Sequence, residues 1–326
     1  MKVTRIFFAK CICCAFAASA GLFLFSSCVK ANAAPANKIS QQVQPPLSPE
    51  VEKLGRVLSG MSDRAKEAIP NGNPQEFLSD LHKVLEIEKT FRKDDVSLYY
   101  LIDKKHNIGA DYVPKDLMPV KANDLWNVSR NDLSLRSEAY HALEDLSRAA
   151  LQDGIKLLVS STYRSYAYQE RLFSRYVKED GLELAERYSA RPGTSQHQLG
   201  VAVDFGSITD DWGDTKMGKW VYQHAADYGW SLSFPQGYED VTGYMWECWH
   251  FRYLGKEMCA FQKKWFGNIQ QFMLEFIASW NKSSFLTQIR TDKLRWDTDF
   301  IYYLCLICVY HRPSVVTRGG KAPPDN

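Results

Sequence analysis

Apolar residues recur three and four positions apart in "VEKLGRVLSGM" and "PQEFLSDLHKVLEIEKTF", which together run from Val51 to Phe91. That is the spacing of helices with one buried face. Asn73-Pro74 marks the start of the second run. The texture changes at Ser97. "SLYYLID" reads as a strand and "DYVPKDL" as a turn-rich connection. "RSEAYHALEDLSRAALQDGI" predicts an amphipathic helix ended by Gly154, because glycine readily takes the conformation that stops a helix. "IKLLVSSTY" predicts a strand, and "SYAYQERLFSRYVKEDG" a helix closed by Gly181. "VAVDFG" predicts a strand, "GKWVYQHAADYGW" a helix, and "GYMWECWHFRYLG" a strand region. Short strands and helices mix without a regular βαβ repeat. The expected fold class is therefore α+β, a small antiparallel sheet surrounded by helices, with a helical N-terminal lead-in and an irregular C-terminal tail.

Residues 1–33 read as a secretory signal peptide. Lys2, Arg5 and Lys10 precede an apolar run from Cys11 to Val29, and Ala31-Asn32-Ala33 supplies a small-residue cleavage pattern. The run "LFLFSSC", ending at Cys28, resembles a lipoprotein cleavage box. A lipid anchor on Cys28 and a soluble mature form therefore both stay open. So does membrane attachment through an uncleaved N-terminus, since the apolar run is nearly long enough to span. The expected location is export to the periplasm or cell envelope. Residues 34–95 form a linker and the helical lead-in, residues 96–282 the main domain, and residues 283–326 a C-terminal extension. In the extension, "DFIYYLCLICVYH" is apolar but too short to cross a bilayer.

With 326 residues, 45% of them hydrophobic and 13% aromatic, the chain can bury a sizeable core. Formal net charge is +2 with no long Lys/Arg block, so nothing points to nucleic acid. Of eight cysteines, Cys11, Cys13, Cys14 and Cys28 lie in the leader. Cys248, Cys259, Cys305 and Cys308 are too few for a disulfide scaffold. A Cys248–Cys259 bridge stays open. Cys305-x-x-Cys308 lacks a second pair or a nearby His and does not read as a zinc knuckle.

The stretch "RPGTSQHQLGVAVDFG" carries the chemistry. Val201, Val203 and Phe205 share one face of the expected strand, and Ala202 and Asp204 the other. A carboxylate on that second face needs a partner, because unpaired burial is costly. Gly200 permits a tight backbone entry and brings His197 near the strand's start, within reach of Asp204. Downstream, Glu247 and His250 stand three apart. Strict alternation would separate them, so the chain must bend or bulge near Cys248. Two imidazoles, a carboxylate and a free Glu match a catalytic zinc site, which uses three protein ligands and leaves a fourth position for water. His197, Asp204 and His250 would be the ligands and Glu247 the base. No HExxH helix is present. A charged fork at a strand end, Arg164, is well placed for an anionic group.

The order Ser195-x-His197-x-x-Gly200-x-Ala202-x-Asp204, then Glu247-x-Trp249-His250, resembles the D-alanyl-D-alanine carboxypeptidases of the VanY type, zinc peptidases of peptidoglycan. The similarity extends to "SSTYRSYAYQ" and across most of residues 97–282. It implies one Zn2+ on His197, Asp204 and His250, with Glu247 as catalytic base. It implies that Arg164 stabilises the oxyanion or holds substrate, and that Ser195 and Gln169 help hold the terminal carboxylate region. Two features depart from the family pattern: Cys248 stands where Pro is common, and the tail beyond Lys282 has no counterpart. The function expected from the resemblance is hydrolysis of the terminal D-Ala of peptidoglycan stem peptides. The alternatives are an L,D-carboxypeptidase, an endopeptidase on cross-links, or a non-catalytic zinc-stabilised wall-binding module.

Overall fold

The structure, a computed structural model, describes residues 48–283 apart from 71 and 92–95. Internal contacts divide the chain after Pro46, and every described residue belongs to the unit Leu47–Asn326. The expected signal peptide, Cys28 and the extension beyond 283, with Cys305 and Cys308, lie outside the described residues.

Helices α1 (Pro49–Ser59) and α2 (Asp63–Ala68) begin at Ser48 and Ser62, whose hydroxyls accept from the N–H groups of Val51 and Ala65. Each serine satisfies a donor that the first helical turn leaves free. Helix α3 (Pro74–Phe91) follows. Next come β1 (Leu117–Val120), β2 (Trp126–Val128), β3 (Leu133–Arg136) and α4 (Ser137–Gln152). Strand β4 (Leu157–Ser161) leads into α5 (Tyr166–Asp180) and α6 (Leu182–Tyr188). The remainder is β5 (Ala202–Phe205), α7 (Lys216–His224), β6 (Trp230–Leu232), α8 (Glu239–Thr242), β7 (His250–Tyr253) and α9 (Lys256–Trp265). A last helix, α10, covers residues 270–283.

Strands β1 and β3 pair antiparallel on their own. The main sheet runs β2-β4-β5-β7-β6, with β2 parallel to β4 and the other neighbours antiparallel. The fold is α+β, as the mixed texture predicts, with one parallel pair at the sheet's edge. The apolar residues gather in two cores. One gathers Leu135, Leu143, Leu157, Val203, Phe205 and Trp230 around the sheet and α4. The other joins α1, α3, α9 and α10. There the Phe77 ring lies 5.0–6.0 Å from the rings of Phe261, Trp265, Phe266 and Phe276.

Two expected strands differ. "SLYYLID" forms no strand, only an isolated bridge between Asp103 and His106. Its Tyr99 and Leu101 enter the helical core and Ile102 the sheet core. The carbonyls of Leu98 and Tyr100 accept from the buried guanidinium of Arg252, at 2.9 and 2.8 Å, in place of a neighbouring strand. The region "GYMWECWHFRYLG" is strand only from His250 onward. The bend near Cys248 is a turn in which His250 N–H donates to the Glu247 carbonyl at 3.3 Å. Cys248 and Cys259 are buried free thiols.

Candidate active site

His197 sits in a single 3-10 turn, Gln196–Leu199, between two devices that fix its backbone. Before it, the Ser195 hydroxyl accepts from the His197 N–H at 3.3 Å. After it, Gly200 takes a left-handed conformation with φ of 71°. A side chain there would be strained, and its Cβ would lie 3.0 Å from Arg136 Cγ. The turn delivers the imidazole to β5. On that strand Val203 and Phe205 face the sheet core, and Asp204 points to the other side. Asp204 and His250 are direct partners in the β5–β7 ladder.

The three side chains converge. Ligand atoms of His197, Asp204 and His250 all lie within 4.8 Å of one another, and all three residues are buried. Among the described residues no other group of three His, Cys, Asp or Glu gathers this way. His197 Nε2 lies 3.2 Å from Asp204 Oδ2, and His250 Nδ1 lies 2.9 Å from Asp204 Oδ1. The two imidazole rings meet edge to face, with centroids 4.8 Å apart. Each ring has its other nitrogen engaged. His197 Nδ1–H donates to the Thr162 carbonyl at 2.6 Å, and His250 Nε2 lies 3.2 Å from Gln196 Oε1. His197 thus presents Nε2, and His250 presents Nδ1, to the carboxylate.

These donors fit a divalent cation. His197 Nε2 and Asp204 Oδ1 are buried yet make no hydrogen bond with good geometry. Leaving such atoms unpaired costs about 1–3 kcal/mol each, and one cation satisfies both. A metal ligand must also be deprotonated. Burial, then the Arg164 charge, lower the His197 pKa to about 4, so its imidazole is neutral at physiological pH. Burial alone would raise the Asp204 carboxyl, but His197 and His250 outweigh it and hold it well below the usual carboxylate range.

Glu247 completes the constellation. The turn before β7 brings its carboxyl to 3.6 Å from His250 Nδ1. Burial, then the neighbouring Asp204 carboxylate, push its pKa well above the ordinary value, while Arg164 pulls it down. Arg164 follows β4, and its backbone N–H donates to the His197 carbonyl at 3.2 Å. Its Nε is buried without a hydrogen-bond partner.

All of these residues line one cleft of about 610 Å³. Ser195 and Gln169 line it as well. Gln169, on α5, donates from Nε2 to the Ala190 carbonyl at 2.7 Å, and its Oε1 has no partner. The amide therefore offers the cleft an acceptor. Rings of Tyr168, Tyr176, Trp246 and Trp249 line further parts of the wall. A separate apolar groove of about 380 Å³, lined from α1, α3 and α9, holds no His, Cys, Asp or Glu.

The remaining described histidines stand apart. His82 pairs with Glu50, His106 with Asp103 and His141 with Glu144, and His224 packs on Trp220. Sequence reasoning missed Thr162, Gln196, Asp103 and Gln271. Thr162 contributes only a backbone carbonyl, which no residue type signals. Asp103 and Gln271 reach the cleft from chain segments far from either motif.

A family model for the D-alanyl-D-alanine carboxypeptidases, VanY, matches residues 132–256. The putative carboxypeptidase YodJ of Bacillus subtilis is 32% identical over 188 residues, which cover 56% of this chain and 68% of that protein. The bifunctional D-Ala-D-Ala dipeptidase and D-Ala-D-Ala carboxypeptidase VanXYC of Enterococcus gallinarum is 32% identical over 164 residues, 48% of this chain and 82% of that one. A solved structure of the LdcB LD-carboxypeptidase aligns with a TM-score of 0.49 at 31% identity, over 55% of this chain and 85% of that chain. By this similarity to curated relatives across most of their length, the chain belongs to the VanY family of D-alanyl-D-alanine carboxypeptidases.

Proposed function

We propose that this chain is an exported, zinc-dependent D-alanyl-D-alanine carboxypeptidase that removes the terminal D-Ala of peptidoglycan stem peptides. The observation that carries this reading is the meeting of three buried donors, two with orphaned atoms, beside a carboxyl of raised pKa in an open cleft. Two imidazoles and one carboxylate are the donor set of a catalytic zinc site rather than of an all-oxygen calcium or magnesium site. His197 through Nε2, Asp204, and His250 through Nδ1 would hold one ion. When bound, zinc lowers the pKa of a coordinated water to about 7 and polarises the scissile carbonyl.

The rest is supplied by the chain itself. Glu247 takes the proton from the attacking water and passes it to the leaving amine of D-Ala. It must be ionised to do so. Arg164 favours that charged form, and a divalent cation held by His197, Asp204 and His250 would favour it further. The Arg164 guanidinium, with an unpartnered Nε in the cleft wall, steadies the negative charge that develops on the carbonyl oxygen. The Ser195 hydroxyl, already an acceptor for His197 N–H, keeps its own proton to donate to the terminal carboxylate. Gln169 Oε1 meets a substrate N–H. Export accords with a substrate in the cell wall and rests on the N-terminal sequence pattern.

The test is chromatography of muropeptides treated with the purified, zinc-loaded chain. Release of a single D-Ala from pentapeptides is expected. Loss of D-Ala from tetrapeptides alone would assign L,D-specificity, cleaved dimers would assign an endopeptidase, and binding of sacculi without any release would assign a non-catalytic module.

A further inference from the structure

Gln270 opens α10, beyond the span that the family model matches, yet its side chain reaches Gln196, the partner of His250 Nε2. The residue is 1% exposed. Gln270 Nε2 donates to the Ser231 carbonyl at 3.2 Å. A backbone carbonyl can only accept, so this contact fixes which way the amide faces. Gln270 Oε1 is then turned toward Gln196, whose Nε2 donates to it at 3.3 Å. That contact turns Gln196 Oε1 toward His250 Nε2, at 3.2 Å. An acceptor there requires the proton on Nε2. A neutral imidazole carries one N–H and one lone pair, so Nδ1 is left bare toward Asp204. Ser233 Oγ also donates to Gln196 Oε1, at 2.7 Å. A hydroxyl can donate or accept, so Ser233 alone would not set the direction. The backbone carbonyl at the far end does.

We propose that Gln270 and Gln196 form a directional hydrogen-bond relay that fixes the tautomer of His250, making α10 a working part of the metal site. The proposal rests on reading His250 as a metal ligand. Neither glutamine touches the reacting atoms. Both are positioning residues acting through His250, as outer partners of a ligating imidazole generally do.

The test compares zinc affinity of the full chain, by competition with a chromophoric chelator, among wild type, Gln196→Leu, Gln270→Leu and Gln196→Glu. Melting of each metal-free protein controls for folding. Gln196→Leu and Gln270→Leu should each bind zinc about 10–100-fold more weakly. Gln196→Glu should bind more tightly than Gln196→Leu, because its carboxylate still accepts from His250 Nε2, although it can no longer donate to Gln270 Oε1. Nitrogen-15 spectra of the zinc-loaded, histidine-labelled protein add a readout that a packing role would not move. The His250 Nε2–H should exchange slowly in wild type and rapidly in Gln270→Leu. Equal zinc affinity in wild type and Gln270→Leu overturns the relay and leaves the metal site standing. A wild-type chain that takes up no zinc overturns the site itself and the relay with it. Should Gln270→Leu fail to fold, the wild-type spectrum decides, and a His250 N–H as labile as that of exposed His141 overturns the relay.

Discussion

Asp204 and His250 stand directly opposite each other across the β5–β7 ladder, with Asp204 Oδ1 2.9 Å from His250 Nδ1. The backbone register thus fixes the spacing of these two donors, and no flexible loop intervenes. A one-residue slip of either strand would turn one of the two donors to the opposite face of the sheet. His197 is the only one of the three carried outside the sheet, and Ser195 and Gly200 bracket its turn.

Replacing Asp204 by Asn keeps the shape and removes the charge that a divalent cation needs. Outer partners of a metal ligand cost about 10–100-fold in affinity when lost. A direct donor should therefore cost at least about 100-fold in zinc affinity, measured by equilibrium dialysis with elemental analysis. Zinc at 100 times its Kd should stabilise the wild type by about 2.7 kcal/mol. The same zinc concentration should leave the melting temperature of Asp204→Asn almost unmoved. Wild-type zinc occupancy in this variant would remove Asp204 from the site.

Glu247→Gln separates holding a metal from using it. The amide has nearly the same size but cannot accept the water's proton. The expected result is zinc stoichiometry equal to wild type with kcat lowered about 10²–10⁴-fold, the usual contribution of general acid–base catalysis. Retained turnover would assign the base elsewhere. Loss of both zinc and turnover would make Glu247 a ligand.

The side of the strand that carries Asp204 was legible for a specific physical reason. A strand's period of two separates the inward Val203 and Phe205 from Asp204, and that split can be read without coordinates. The meeting of Glu247 with His250 was legible only as a conflict. Alternation put them on opposite faces, and the turn closed by His250 N–H and the Glu247 carbonyl resolves it. Residues 97–103 misled, because "SLYYLID" has strand-like texture while its carbonyls are taken by a guanidinium more than 150 positions away. Gln270 was illegible altogether. A buried amide reaching a ligand through a second amide leaves no local periodicity to notice.

The helical lead-in packs on the same core as α9 and α10, with Phe77 at its centre and 3% exposed. Phe77→Ala should therefore destabilise by about 3–5 kcal/mol, the usual cost of emptying an aromatic core position. If the lead-in folds together with the sheet, urea unfolding of the variant followed by fluorescence and by circular dichroism stays a single coincident transition. Two separated transitions would show that the lead-in unfolds as a unit of its own.

Asp103 gives the molecule a defined acid sensitivity at the cleft wall. It is 8% exposed and accepts from the N–H groups of Lys105 and His106 at 2.8 and 2.9 Å, from His106 Nδ1 at 2.8 Å, and from Gln271 Nε2 at 2.9 Å. Burial pushes its carboxyl up, but the Lys105 N–H, Gln271 and His106 together outweigh burial and leave it below its ordinary value. A carboxyl with a depressed folded pKa stabilises the fold fully above its unfolded pKa of about 4, and that contribution disappears as pH falls through the folded value. Asp103→Asn lacks the contribution at every pH. The urea midpoint of wild type should thus exceed that of Asp103→Asn near neutrality, and the gap should narrow as pH drops below about 4. A gap that stays constant down to pH about 2 would mean the native carboxyl is not held below its unfolded pKa, and that the Gln271 and Lys105 donors bind charged and neutral forms alike.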